Sequence, residues 1–402
     1  MNYEIKTLNE LSLDGKGSYG IAASAVPYSD ELYTYLRITD IKDDGNLDKS
    51  NLMSVADKKA YNYTLKKNDI VFARTGASTG RNYFYDETDG ELVYAGFLIK
   101  FSLDVKKINP KFVKYYCQSK AYKDWIHSFN TGSTRGNINA KTYGTLPIPV
   151  FPRNYQNKVV SILDSIDLKI KNNIDINNNL EQQAFAIFKS WFVDFELCNG
   201  IMPSDWNYGT IEDLASEIVC GKTPSTKKKE YYGDDIPFIT IPDMHNSVYT
   251  VKTERSLSLL GADSQSQKTL PKNSVCVSCI GTAGLVTLVS TPSQTNQQIN
   301  SIIPKENVSP YFVYLLMKTK SDEINKYGQS GSTIVNLNKT QFSKLECIIP
   351  STKFLIKFND LLEPIFNKIL VNMRENITLA DLRNTLLSKL MSGEIDVSNI
   401  EL

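Results

Sequence analysis

The 402-residue chain reads as α/β: two mixed α/β modules, each followed by one long amphipathic helix, arranged as an internal duplication. Three observations predict this. One peptide pattern recurs at an offset near 200, a heptad seam of matched register follows each copy, and short β-branched runs mix with helical stretches inside each copy.

The repeat comes first because it sets every other boundary. Residues 131–146, TGSTRGNINAKTYGTL, align with 330–345, SGSTIVNLNKTQFSKL, at an offset of 199. Gly132, Ser133, Thr134, Asn137, Asn139 and Leu146 thereby meet Gly331, Ser332, Thr333, Asn336, Asn338 and Leu345. Pro110, Phe112 and Val113 meet Pro310, Phe312 and Val313 at 200, and DIVFARTGASTG (69–80) resembles SVCVSCIGTAG (274–284) at 204 to 205. Small insertions and deletions between two copies of one module explain the drift.

In the first helical segment Leu163, Ile166, Ile170, Asn173, Asn177, Leu180, Ala184, Ile187 and Trp191 alternate at spacings of 3 and 4, the seam of a heptad repeat. Adding 199 gives Leu362, Ile365, Ile369, Asn372, Asn376, Leu379, Arg383, Leu386 and Leu390. A buried seam Asn costs stability and can fix register and partner choice. The alternative, that these Asn residues face water while Ile174 and Met373 take the seam, stays open at this level.

The resulting division is 1–152, 153–198, 199–350 and 351–402. Pro147, Pro149 and Pro152 stop the first module and Pro350 the second, because an X-Pro step disfavours helix before it and tolerates helix after it. Asn199 and Gly200 suit a left-handed end to the first helix. Within the modules Asp69–Ala73, Leu92–Phe101, Pro237–Ile241 and Ser274–Ser278 read as strands, and 110–126 and 309–326 as helical.

Composition narrows the function classes. Lys and Arg number 45 against 44 Asp and Glu, a formal +1, so no overall field draws the chain to nucleic acid or anionic lipid. Any DNA binding must rest on local patches or on partners. Residues 1–152 hold 20 basic and 17 acidic residues, whereas 199–350 hold 14 of each and both helical segments carry one excess acid. The first residues lack a signal peptide's basic start and apolar core, and the longest apolar uncharged run, Val275–Val289, has 15 residues, short of a bilayer span. Six scattered Cys read as reduced thiols, which predicts a cytoplasmic protein.

Catalytic motifs are missing. His127 and His245 fit no metal-ligand spacing, and Cys276 and Cys279 form a CxxC inside a strand-like run without a second pair. Gly15, Gly17 and Gly20 fit GxGxxG with Asp40 about 20 residues on, yet no buried strand precedes them and no helix follows, so they read as a turn. A P-loop is absent. Asp235-Ile236-Pro237-Phe238 departs from the Asn/Asp-Pro-Pro-aromatic loop of amino-methyltransferases at Ile236, and Ile236–Ile241 reads as a core strand. No metal or cofactor is expected on this chain.

The second module opens with Met202-Pro-Ser-Asp-Trp206, Ile211-Glu-Asp-Leu-Ala215, Gly221-Lys-Thr-Pro-Ser-Thr226, Tyr232-Gly-Asp-Asp-Ile-Pro-Phe238 and Pro242-Asp-Met244. In the first, Tyr35-Leu-Arg-Ile-Thr-Asp40 takes the corresponding place, with a weaker opening at Leu8-Asn-Glu-Leu11. With the duplicated GST-x-x-N-[IL] motifs and a helix after each, this order resembles the specificity subunit of type I restriction-modification systems over nearly the whole chain. The resemblance implies two target-recognition domains, each binding one half of a bipartite asymmetric DNA site, and two antiparallel coiled-coil-like spacer helices in a pseudo-twofold arrangement. It also implies a non-catalytic subunit that docks two modification subunits, which methylate adenine with S-adenosylmethionine, and is joined by restriction subunits. The readings of other classes are a stand-alone DNA-modifying enzyme and an assembly scaffold that reads no sequence.

Base edges are read by Arg, Lys, Asn, Gln, Ser and Thr, and phosphates by Lys, Arg, hydroxyls and backbone N–H groups. In the first module the candidates are Arg74, Thr75, Ser78, Thr79 and Arg81 on a glycine-rich loop, then Ser133, Thr134, Arg135, Asn137 and Lys141. In the second they are Lys222, Thr223, Ser225, Thr226, Lys227, Lys228 and Lys229, then Ser332, Thr333, Asn336 and Asn338. The aromatics Phe185, Phe188, Trp191, Phe192 and Phe195 exceed what one partner helix needs, so part of that surface is core and part is available to a modification subunit. A helix of about 37 residues spans roughly 55 Å at ~1.5 Å per residue, enough to separate two readers by at least one DNA turn of ~34–36 Å.

Overall fold

The computed structural model describes residues 2–129, 136–326, 336–398 and 400. The chain forms two compact units, one of residues 1–168 with 380–402, the other of residues 169–379. Each contains a mixed α/β module together with parts of the two long helices, Arg153–Phe192 and Thr352–Met391.

In the first unit an antiparallel sheet runs in the order Ser18–Tyr19, Leu98–Ser102, Asp69–Ala73, Asn82–Phe84. All five residues of Asp69–Ala73 are buried: Ile70, Val71, Phe72 and Ala73 form a continuous apolar run in a central strand, and Asp69 pairs with Lys100 (3.1 Å). Phe72 stacks on Tyr143 with centroids 4.9 Å apart. A second sheet runs Ala25–Pro27, Met53–Val55, Tyr33–Leu36, Leu92–Tyr94, with the last pair parallel. Thus the expected strand Leu92–Phe101 is two strands in different sheets, divided at a turn in which Leu98 N donates to Ala95 O (2.8 Å). Glu4–Thr7 pairs with Pro147–Val150 and joins the two ends of the module.

The second unit repeats this plan. Its larger sheet is ordered Ala215–Cys220, Ile299–Pro304, Val275–Ser278, Val286–Val289, Tyr249–Thr250. The smaller contains Tyr232–Gly233, Arg255–Leu257, Ile236–Ile239 and Gln294–Thr295, again with one parallel pair at its end. Asn207–Thr210 pairs with Glu346–Ile349, as Glu4–Thr7 does with Pro147–Val150. The predicted strand through Ile241 stops at Ile239, because Thr240 N and Oγ1 both donate to Asp243 Oδ2 (2.8 and 2.7 Å) and cap the helix Ile241–Met244.

The helices pair antiparallel within each unit. In the first, Tyr155 Oη donates to Leu390 O (2.7 Å), while twelve residues further along Asp167 meets Arg383 (2.9 Å). In the second, Asn173 Nδ2 donates to Asn376 Oδ1 (2.9 Å) and Glu375 Oε2 (2.8 Å), and Asn372 Nδ2 donates to Asn177 Oδ1 (2.8 Å). Asn173, Asn177 and Asn372 are buried and Ile174 is exposed, so these three Asn residues occupy the seam, while Asn376 is half-buried and Met373 packs against the core. The first helix ends at Phe192, before Asn199: Val193 N and Asp194 N both turn onto Lys189 O, and Phe195 adopts φ 53° with its ring 5.9 Å from Trp206. Asn199 and Gly200, also left-handed, end the short turn Glu196–Cys198 instead. Phe188 and Phe192 are core, packed on Phe312 and Phe358, whereas Phe185 is exposed.

Candidate nucleic-acid interface

In the first unit, strand Asp69–Ala73 delivers the glycine-rich loop and backbone bonds press it against residues 136–139. Arg74 N donates to Phe97 O (3.0 Å), Ile138 N donates to Arg74 O (2.9 Å), and Thr75 bridges Asn137. Thr79 Oγ1 donates to Gly76 O (2.8 Å) and Gly136 O (3.0 Å). Two candidate clusters far apart in sequence therefore share one surface.

Arg74 projects its guanidinium there. Its Cζ lies 5.0 Å from the Tyr19 ring centroid, Nη2 donates to Asn137 Oδ1 at 3.4 Å, and its buried Nε has no acceptor among the described residues. Stacking on an aromatic face holds the planar fork in one orientation. Lys141 is exposed on the helix Ala140–Gly144, which Asn139 caps by accepting from Thr142 N (2.9 Å). Other candidates have local work: Arg81 Nε donates to Asp43 (2.6 Å) and Nη1 to Ile41 O (3.1 Å), and Ser78 is buried. Ser133, Thr134 and Arg135 lie outside the described residues.

In the second unit Gly221 N donates to Ile299 O (3.1 Å) and Lys222 N to Thr295 O (2.9 Å), anchoring the basic loop. A Cβ at Gly221 would sit 2.1 Å from Asn296 O, so the close backbone approach demands glycine. Thr223 Oγ1 donates to Gln297 Oε1 (2.7 Å). Ser225, Thr226, Lys227, Lys228 and Lys229 are exposed; Lys228 Nζ lies 4.7 Å over the Tyr231 ring and donates to its hydroxyl (2.9 Å), which holds the ammonium pKa above its ordinary value. Lys222, Lys227 and Lys229 form no ion pair among the described residues. Asn336 bridges Ile280, while Asn338 caps the helix Lys339–Ser343 by accepting from Gln341 N (3.0 Å). Ser332 and Thr333 lie outside the described residues.

Matching backbone bonds put the two surfaces in register. Cys279 N donates to Gln298 O (2.8 Å) and Leu337 N to Cys279 O (3.0 Å), as Arg74 N does to Phe97 O and Ile138 N to Arg74 O. Gly20 N donates to Leu98 O (3.2 Å), and a Cβ there would lie 2.2 Å from Tyr94 O, the counterpart of Gly221. Arg74 thus corresponds to Cys279, Phe97 to Gln298 and Tyr19 to Cys220. Sequence reasoning does not reach Tyr19, Phe97, Gln297 or Gln298; the signal available was the amide run TNQQIN at 295–300, where the first module has YAGFLI at 94–99.

The model of the type I restriction modification DNA specificity domain matches residues 2–182 and again residues 203–377. The chain belongs to the type I restriction-modification DNA specificity family, and each match takes in one module with part of the long helix that follows it. It is 33% identical over 404 residues to the HindI specificity subunit of Haemophilus influenzae, covering 82% of this chain and 87% of that one. The MjaIX specificity subunit of Methanocaldococcus jannaschii is 33% identical over 190 residues, 44% of each chain. The crystal structure of the type I restriction-modification S subunit from M. genitalium shares the fold with a TM-score of 0.59 at 17% identity, covering 97% of this chain and 96% of that one.

Proposed function

We propose that this chain is the DNA-reading subunit of a cytoplasmic type I restriction-modification complex and performs no catalysis itself. Each module reads one half of a bipartite asymmetric site, and the two helices set the spacing and dock two modification subunits, with restriction subunits joining them. S-adenosylmethionine belongs to the modification subunits. The observation that carries this reading is one backbone frame present twice with different recognition groups on it: a stacked guanidinium in the first module, carboxamides beside a lysine loop in the second. A scaffold that reads no sequence has no use for that divergence.

The division of labour follows from chemistry. Exposed Lys222, Lys227 and Lys229 suit phosphates, which position the protein, whereas Arg74 and the amides suit base edges, which specify. Each 40-residue helix spans about 60 Å at ~1.5 Å per residue, longer than one DNA turn of ~34–36 Å. Exposed apolar side chains on the helices, among them Leu168, Ile174, Val371 and Leu382, are offered to the modification subunits.

The test is co-expression with the modification subunit of the same restriction-modification system, followed by single-molecule sequencing for methylated adenine. Methylation at one bipartite site is expected, and none when the purified chain alone is given S-adenosylmethionine. Unaided turnover would establish the stand-alone enzyme instead, and methylation without a second half-site would remove the two-reader mechanism.

A further inference from the structure

We infer that the two modules read different bases from corresponding surfaces of one frame: a guanine through Arg74 in the first, an adenine through the carboxamides of Gln297 and Gln298, beside the Arg74 counterpart Cys279, in the second. This rests on the DNA-reading function proposed above and assigns the chemistry of each half-site.

Corresponding bonds place Arg74 and Cys279 at the same strand end, against Phe97 and Gln298. A guanidinium held over Tyr19 and tethered to Asn137 presents a flat pair of donors, the complement of guanine O6 and N7. Gly76, at the tip of this loop, has nothing within 4 Å of where a Cβ would be, so the backbone leaves room for a groove edge. Among the described residues of the second module nothing cationic takes the place of Arg74. Cys279 is 1% exposed and its thiol turns inward to Val277 O, out of reach of a ligand.

Carboxamides gather there instead. Gln298 Oε1 accepts from Asn296 Nδ2 (3.0 Å), which fixes the amide plane while leaving a second lone pair, and its Nε2 lies 3.7 Å from the Cβ position of Gly281, the counterpart of the open Gly76. Gln297 is exposed, with Oε1 accepting from Thr223. One amide offers one donor and one acceptor, the complement of adenine N7 and N6 and a mismatch to the two acceptors of guanine. Thr223 links this amide pair to the lysine loop, so base reading and phosphate binding adjoin.

The experiment uses the complex of the full chain with its methyltransferase. Once methylation mapping has given the bipartite site, each guanine and adenine of both half-sites is replaced singly by its 7-deaza analogue, and binding is measured for wild type, Arg74→Ala and Gln297→Ala/Gln298→Ala. One guanine should lose roughly 5- to 150-fold in wild-type affinity on deaza substitution and nothing further in Arg74→Ala. One adenine in the other half-site should behave likewise with the Gln pair. A wild-type complex insensitive at every guanine, sensitivity that persists in the variants, or both variants acting on the same half-site overturns the assignment. Should a variant lose all binding, Arg74→Met, which keeps the side-chain bulk without its donors, or Gln298→Glu, which loses the donor to N7, is scored by the same criteria, and the wild-type analogue scan alone still decides whether each half-site holds the required purine. Absence of any bipartite site would defeat the proposed function, whereas a bipartite site without these linkages defeats this inference alone.

Discussion

Replacing Asn177 by Leu tests the helix seam. Asn177 Oδ1 accepts from Asn372 Nδ2 at 2.8 Å, Asn177 Nδ2 donates to Ile369 O at 3.4 Å, and Asn372 is fully buried with its own Oδ1 lacking a partner among the described residues. Asn177→Leu keeps the branched outline of the side chain, though with more bulk, and strands the Asn372 amide donor in an apolar seam, a cost of about 1–3 kcal/mol. Replacing both residues removes the orphan and leaves an apolar pair, which is neutral or stabilising. At roughly 2–4 °C per kcal/mol for a domain of this size, Asn177→Leu should melt several degrees lower, and Asn177→Leu/Asn372→Leu should recover most of that loss. Calorimetry gives the melting, and hydrogen exchange of amides 169–192 localises it to this seam. Equal melting of the single and double variants, or additive losses, would show that the Asn pair is not coupled and refute the argument from stranded polarity.

Three further outcomes follow from the same geometry. Lys227→Ala/Lys229→Ala should weaken binding to specific and random DNA alike and reduce the steepness of log K against log salt by up to about 1.8, near 0.9 per phosphate contact; Lys228→Ala should do less, since Tyr231 already engages that ammonium. An unchanged salt slope would count against these lysines as phosphate contacts. Inserting one heptad at paired positions of both helices preserves the seam and adds about 10 Å, near three base pairs, so methylation mapping should find the same half-sites at wider spacing; unchanged spacing would rule out the ruler. Burial pushes the Cys276 and Cys279 thiols up to about 12, which keeps both protonated at pH 8. Iodoacetamide should then label partly exposed Cys198 and Cys220 in the native protein and reach Cys276 and Cys279 only after unfolding, as read by peptide mass mapping.

What the sequence reveals of this protein is whatever has a period. The heptad spacing and the offset of 199 are local regularities, and the antiparallel Asn pairing within one seam is where they lead. Asp69–Ala73 is legible because its apolar run Ile70–Ala73, continuous at a central strand, needs no further information. The sheet change after Tyr94 is not, since Leu92–Phe101 reads as one strand and only its partners, Tyr33–Leu36 on one side and Asp69–Ala73 on the other, divide it. The candidate interface fails to read out for the same reason. Arg81 stands in the glycine-rich loop of the first module, yet Asp43, 38 residues away, engages it. Tyr19 and Gln298 acquire their meaning from strand pairing that no local pattern announces.

The near-zero charge and the duplication have one explanation. The groups that hold the reading frame are shared: glycines at 20 and 221 against backbone carbonyls, buried Ile138 and Leu337, helix caps at Asn139 and Asn338. The side chains on that frame differ, Arg74 against the inward-turned Cys279 and the exposed Phe97 against Gln298, and the backbone bonds beneath them do not. Recognition chemistry can therefore change at these positions while every hydrogen bond of the frame persists, because a strand-end side chain adds nothing to the ladder below it. Such a reader gains specificity from a few oriented donors and acceptors, each worth ~1–3 kcal/mol of discrimination, and needs no strong overall field. A formal charge of +1 is what remains when two small reading surfaces sit on a frame balanced by acidic and basic residues elsewhere.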